Sequence, residues 1–100
     1  MICFRWDPEK AETNFRKHGI RFKVAAKVFD DPSVFIRQDP IVEDEPRWQA
    51  IGMVEGTAIL LVAHSYLAEG TEEAIRIISA RKADRTERRV YEQNRIHQSG

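Results

Sequence analysis

The chain has one cysteine, Cys3, in 100 residues. A single thiol closes no internal disulfide and supplies no thiolate cluster, so a reduced, cytoplasmic setting is expected. Long apolar runs are missing too. The longest, Ala58-Ile59-Leu60-Leu61-Val62-Ala63, has the length of a strand and falls far short of the ~20 residues a membrane helix needs. No membrane contact is expected. The opening Met1-Ile2-Cys3-Phe4-Arg5-Trp6-Asp7 lacks the apolar stretch of a secretory signal. There is no glycine-rich phosphate loop and no G-x-S-x-G elbow. The histidines His18, His64 and His97 lie far apart with no i, i+4 pair. No metal and no other cofactor is therefore expected.

What is present suits one domain over residues 1–100. The chain is 42% hydrophobic, enough for a single core, and 32% charged. Its net charge is zero, yet the charges are segregated. Residues 1–29 carry seven Lys or Arg against three Asp or Glu, residues 30–75 two against ten, and residues 76–100 seven against three. Such a chain can present a strong local field despite a neutral total.

The order of elements follows from periodicity and punctuation. Phe4-Arg5-Trp6 alternates and can open as a short strand. Asp7-Pro8-Glu9 starts a helix: Asp7 caps the free amides, Pro8 loses nothing at the first turn, and Glu9 suits the dipole. This helix should end at His18, with Gly19 in the left-handed position. A second helix is expected over 22–29, where Phe22, Ala25, Ala26 and Phe29 form one stripe, stopped by Asp30-Asp31-Pro32. The two helices should pack through Phe15, Phe22 and Phe29.

Strands are expected at 34–36, 47–54, 58–65 and 74–80. The third, almost continuously apolar, belongs inside the sheet beside the fourth. In the fourth, Ile75, Ile77 and Ser79 alternate against Arg76, Ile78 and Ala80. An acidic loop is expected over 41–46, a hairpin at Glu55-Gly56-Thr57, and a loop over 66–73 turning at Gly70. Asp84 and Glu87 form a capping-box spacing before a last helix that is poor in apolar residues. The expected class is α+β: two N-terminal helices, a four-stranded antiparallel sheet and a C-terminal helix, with the helices against one sheet face.

The informative constellation is basic. Arg76, Arg81 and Lys82 run off the last strand, and Arg85, Arg88 and Arg89 make a ridge on the last helix. RNA phosphates need such a patch, and arginine contacts them in bidentate fashion. The other reading is a solvated helix face partnered by Glu87 and Glu92. Cleavage of RNA without a metal needs a base for the 2′-hydroxyl, cations for the charge growing on phosphorus-bound oxygens, and an acid for the leaving 5′-oxygen. His64 titrates in the right range for base or acid. It is expected beside Arg76 on the neighbouring strand, with Arg76, Arg81 and Lys82 as the clamp. Arg85, Arg88 and Tyr91 form the RNA-binding rim, Tyr91 either stacking on a base or packing under the helix. A half-buried, structural His64 is the competing reading.

Six motifs in consistent order resemble the BrnT family of toxins. They are Phe4-x-Trp6-Asp7-Pro8-x-Lys10-Ala11, Asn14-x-x-Lys17-His18-Gly19-Ile20-x-Phe22, Ala25-Ala26-x-Val28-Phe29-x-Asp31-Pro32, Arg47-Trp48-x-x-Ile51-Gly52, Val62-x-His64-Ser65, and Ile75-Arg76-Ile77-Ile78-Ser79-Ala80-Arg81-Lys82-Ala83 followed by Glu87-Arg88-x-x-Tyr91-Glu92. The resemblance implies a RelE-like ribonuclease fold and a metal-independent endoribonuclease that cleaves mRNA and blocks translation. It also implies a cognate antitoxin with a ribbon-helix-helix DNA-binding part, through which alone the pair contacts operator DNA. The alternative is a toxin-like module that binds an antitoxin or nucleic acid without cleaving. The 66–74 connection and the proline-bearing 43–46 loop depart from the family pattern.

Overall fold

The computed structural model describes residues 2–40, 46–70 and 72–99. Helix α1 spans Pro8–His18 and begins as its sequence dictates: Asp7 Oδ1 accepts the Glu9 N–H at 2.9 Å. It ends at Gly19, which sits at φ 71° and donates its N–H to the Phe15 carbonyl at 2.8 Å. Helix α2, Phe22–Ala25, passes into a 3-10 segment, Ala26–Asp30, instead of continuing as one α-helix over 22–29. The tighter winding lines up residues three apart, so Ala25 and Val28 both become fully buried. Phe15 does not join this packing. Its ring instead lies under the Arg21 guanidinium, 3.9 Å away.

Five strands form one mixed sheet in the order β1-β5-β4-β3-β2. They are β1 (Cys3–Arg5), β2 (Phe35–Gln38), β3 (Trp48–Val54), β4 (Ala58–Glu69) and β5 (Glu72–Lys82). The expected four-stranded antiparallel sheet needs two corrections. The opening residues are a fifth strand, paired parallel to β5 from Cys3↔Ala74 to Arg5↔Arg76. Residues 66–69 and 72–73 are also strand, with Tyr66 opposite Ile75, Leu67 opposite Ala74 and a turn at Gly70. Ladder hydrogen bonds satisfy this arm's backbone without a continuous apolar run, which is why hydropathy alone stops at Ser65. Of the expected acidic loop, 41–45 lies outside the described residues. Strand β4 sits inside the sheet between β5 and β3, as its apolar run requires.

The helices do not share a face. Helices α1 and α2 and the 3-10 segment cover one side, where Phe22, Ala25, Val28, Ala50, Val54, Leu60, Val62, Ile77 and Ala80 form the larger core. Helix α3 (Arg85–Ser99) covers part of the other side, where its Tyr91 packs with Ile51, Leu61 and Ala83. Strict alternation along β5 would place Ile77 and Ala80 on opposite faces. A bulge between the Ala63 and His64 pairings breaks it, and both enter the larger core.

Two residues tie the layers together. Asn14, on α1, pairs with the free edge of β5 where β1 has ended: its Nδ2 donates to the Ala80 carbonyl and its Oδ1 accepts the Ala80 N–H, both at 3.0 Å. The same amide donates to the Ile20 carbonyl at 3.0 Å. Gly52 lets the 3-10 segment approach β3. A Cβ there would lie 2.9 Å from Val28 Cβ and 3.0 Å from the Val28 carbonyl oxygen. Gly52→Ala is expected to cost about 1–3 kcal/mol through overpacking. Asn14→Ala leaves buried backbone groups unpaired and is expected to cost about 2–4 kcal/mol. Urea unfolding at constant m-value checks both.

Candidate functional site

Neighbouring residues on a strand point to opposite sides, and this separates the expected cluster. His64 pairs with Ile77 and faces the N-terminal helices; Ser65 pairs with Arg76 and faces the α3 side. His64 is fully buried. Its ring meets Phe29 edge-on at 4.9 Å and Tyr66 at 5.1 Å. Nδ1 lies 3.2 Å from the Val62 carbonyl, so Nδ1 carries the hydrogen, and Nε2, 3.2 Å from the Tyr66 hydroxyl, accepts. Burial lowers the His64 pKa, against the opposing pull of the Val62 carbonyl. The imidazole is neutral at neutral pH. It does not stand beside Arg76, and the proposed base is a core histidine whose two ring nitrogens are both engaged.

The cations gather on the α3 side. The bulge in β5 brings Arg76 and Arg81, five residues apart, to the same face. Arg76 Nε donates to Ser65 Oγ at 3.3 Å. Across the sheet, Arg37 on β2 donates from Nε to Gln49 Oε1 on β3 at 2.8 Å. Arg81 makes a bidentate pair with Glu87, Nη1 to Oε1 and Nη2 to Oε2, both at 2.8 Å. Lys82 follows Arg81 on the strand and therefore points the other way, into solvent. The structure does not bring it onto the face that carries Arg76 and Arg81.

Glu87 is held from behind by the start of α3. Its Oε1 also accepts the Asp84 N–H at 2.9 Å, while Asp84 Oδ1 accepts the Glu87 N–H at 2.8 Å. The capping box read from the sequence is therefore formed. Burial alone would raise the Glu87 pKa. The hydrogen bonds from Arg81 and Asp84 and the charges of Arg81 and Arg37 outweigh it, and the carboxyl is held below its ordinary value.

On α3, Arg85 and Arg88 are exposed, and Arg88 Nη1 reaches the Ala83 carbonyl at 3.5 Å. Tyr91 is buried at 2% exposure, and its hydroxyl donates to Asp31 Oδ2 at 2.6 Å. Burial, with the Asp31 hydrogen bond and charge, pushes its pKa up to about 12. Of its two expected roles Tyr91 takes the second: it packs under the helix and presents no face for a base, so it does not stand on the rim. Arg37 and Gln49 are not singled out by the sequence reading, and Ser65 enters it only within the Val62-x-His64-Ser65 motif. Extending β2 from Phe35 by two would have put Arg37 on the Phe35 side. The sequence offers Glu87 as a cap and as a partner for the helix ridge, and its bidentate hold on Arg81 is a tertiary fact. Among the described residues, no group of three or more His, Cys, Asp or Glu is placed to hold a metal ion.

Residues 6–87 match the model of a family described as the ribonuclease toxin, BrnT, of type II toxin–antitoxin systems. The chain is also similar to the crystal structure of the Brucella abortus ribonuclease toxin, BrnT. The two share 31% identity at a TM-score of 0.57, over 85% of this chain and 99% of that one. Comparison with curated proteins gives no match.

A neutral, buried His64 makes stability depend on pH. Unfolding frees an imidazole of ordinary pKa 6.5, whereas the folded value is lower. The unfolded chain therefore takes up the proton first, and stability fully present above pH ~6.5 is lost as pH falls from there toward the lower folded value. The melting temperature should drop between pH 7.5 and 5.5, before Asp31 and Glu87 titrate, and His64→Gln should flatten that drop. His64→Ala should lower stability by about 2–4 kcal/mol. Thermal melts across this range check all three.

Proposed function

This chain belongs to the BrnT family of ribonuclease toxins of type II toxin–antitoxin systems, and on that footing we propose that it is an endoribonuclease that cleaves mRNA and so inhibits translation. The observation that carries the reading is the set of arginines on the α3 side of the sheet, Arg37, Arg76 and Arg81, each held by a named neighbour. Fixed cations of this kind do their work where charge develops. As the 2′-oxygen bonds to phosphorus, the 2′-hydroxyl proton passes to solvent and negative charge builds on the non-bridging oxygens. The bond to the 5′-oxygen then breaks and that oxygen takes up a proton. Cations already oriented stabilise this arrangement more than the ground-state phosphodiester. The charge can be carried by guanidinium groups, so the reaction is proposed to run without a metal.

Arg76 and Arg81 are assigned to the reacting phosphate, with Arg37 beside them. Lys82, Arg85 and Arg88, exposed at the end of β5 and the start of α3, are assigned to the flanking RNA backbone, where contacts are salt-sensitive. His64 and Tyr91 act only through the fold.

Membership of a type II family brings an antitoxin partner. We assign it the same cationic face, covered by acidic or amphipathic antitoxin segments. A ribbon-helix-helix part of that antitoxin would make the contact with operator DNA, and the pair would act in the cytoplasm.

Expression of this chain alone should arrest bacterial growth and produce mRNA fragments. Purified Arg81→Ala or Arg76→Ala should cleave about a hundredfold more slowly at fixed salt. Arg88→Ala should lose less and recover as salt is lowered. Cleavage should persist in a chelator. Parental rates from folded Arg76→Ala and Arg81→Ala proteins would remove the assignment, and the absence of any cleavage by the parent would favour a binding module.

A further inference from the structure

The pairing of Arg81 with Glu87 raises a problem, because a carboxylate that neutralises an arginine also competes with phosphate for it. The geometry resolves it. A guanidinium has five N–H donors in a rigid plane. Glu87 takes the end-on pair, one hydrogen from Nη1 and one from Nη2. The second Nη1 hydrogen goes to the Lys82 carbonyl at 3.3 Å. Nε–H and the outer Nη2–H remain, side by side on the edge that Glu87 does not touch. Among the described residues neither has an acceptor. The Arg81 side chain is 39% exposed against 10% for Glu87, so the open edge belongs to a group that solvent and substrate can reach.

Glu87 cannot swing with its partner. Its Oε1 is shared with the Asp84 amide, and its own amide is tied to Asp84 Oδ1. The first turn of α3 thus fixes the carboxylate, the carboxylate fixes the plane of the guanidinium, and the plane aims the free edge. A carboxylate at the start of a helix also meets the favourable end of the helix dipole.

We propose that Glu87 is a positioning residue for RNA cleavage: it holds Arg81 end-on so that the Nε/Nη2 edge meets two oxygens of the reacting phosphate. This rests on the reading that Arg81 contacts that phosphate. Pre-setting the fork removes an orientation cost that would otherwise fall in the transition state. The same carboxylate opposes RNA in the ground state by its charge. Glu87 therefore acts in opposite senses on binding and on rate, which a purely structural residue does not.

The test is steady-state cleavage of a defined single-stranded RNA by the purified full chain, with folding verified by thermal melts. Glu87→Gln keeps an oxygen for the Asp84 amide, and so the cap, but removes the charge and the bidentate hold. Its kcat should fall about tenfold, while KM falls at low salt because the face is more positive. Its KM should also rise more steeply with salt than the parent's. Arg81→Lys, which keeps the charge without the edge, should lose as much kcat as Arg81→Ala. A Glu87→Gln protein with parental kcat, beside a slow Arg81→Ala, overturns the positioning role and leaves the ribonuclease reading standing. A higher KM with unchanged kcat in Glu87→Gln overturns it as well. A parental rate from Arg81→Ala instead overturns the reading beneath. Should Glu87→Gln not fold, Arg81→Lys decides: parental kcat from it means that charge suffices, and the proposal fails.

Discussion

A single extra residue in β5 governs what this sheet can present. Side chains alternate along a strand, so Arg76 and Arg81, an odd number apart, would point to opposite sides of a regular ladder. The bulge beside the Ala63 and His64 pairings shifts the phase by one. Arg76 then lands opposite Ser65, on the face that carries Arg81, while Ile77 and Ala80 both turn into the larger core. One irregularity thus completes the apolar layer under the N-terminal helices and assembles the cations on the other side. The free edge of β5 nearby is covered by Asn14, whose amide takes the place of a strand at Ala80.

The two faces are built for different purposes. The side under α1, α2 and the 3-10 segment is closed: Val28 lies against Gly52, and His64 is sealed between Phe29 and Tyr66 with its ring nitrogens engaged. The opposite side is only partly covered, because α3 lacks the apolar residues to lie across all of it. It is anchored instead by a few polar contacts. Asp31 accepts from the Met53 and Ser33 amides and from Tyr91. Burial works against its charge, but these bonds, with the charge of Arg95, prevail and keep its pKa low. The residue that ends the 3-10 segment is thereby also the anchor for the last helix. The strip of sheet left open holds Arg37, Arg76 and Arg81.

Local chemistry made much of this legible in the sequence. The Asp7-Pro8 start and Gly19 end of α1, the interior position of the 58–65 run, and the Asp84–Glu87 capping box are all written in residues that act on their immediate neighbours. The basic character of the last strand and helix was equally plain from counting. The 66–73 stretch reads as a loop because paired backbone needs no apolar pattern, and the short opening strand read at 4–6 has no place in the expected sheet because three residues carry too little periodicity to be assigned to a sheet edge.

What the sequence by itself determined is therefore the set of elements that nearest neighbours decide, together with the inventory of cations near its C-terminus. Only the tertiary structure decided which side of the sheet each residue occupies. His64 and Arg76 are on adjacent strands, as read, yet one is sealed in the core and the other faces α3, and Tyr91 follows the core as well. The reason is physical. A face assignment depends on the phase of every residue along a strand, and one bulge, set by long-range packing, inverts that phase for all that follows. A cap or a turn depends on three or four residues, but the pairing of Arg81 with Glu87 depends on where a whole helix comes to rest.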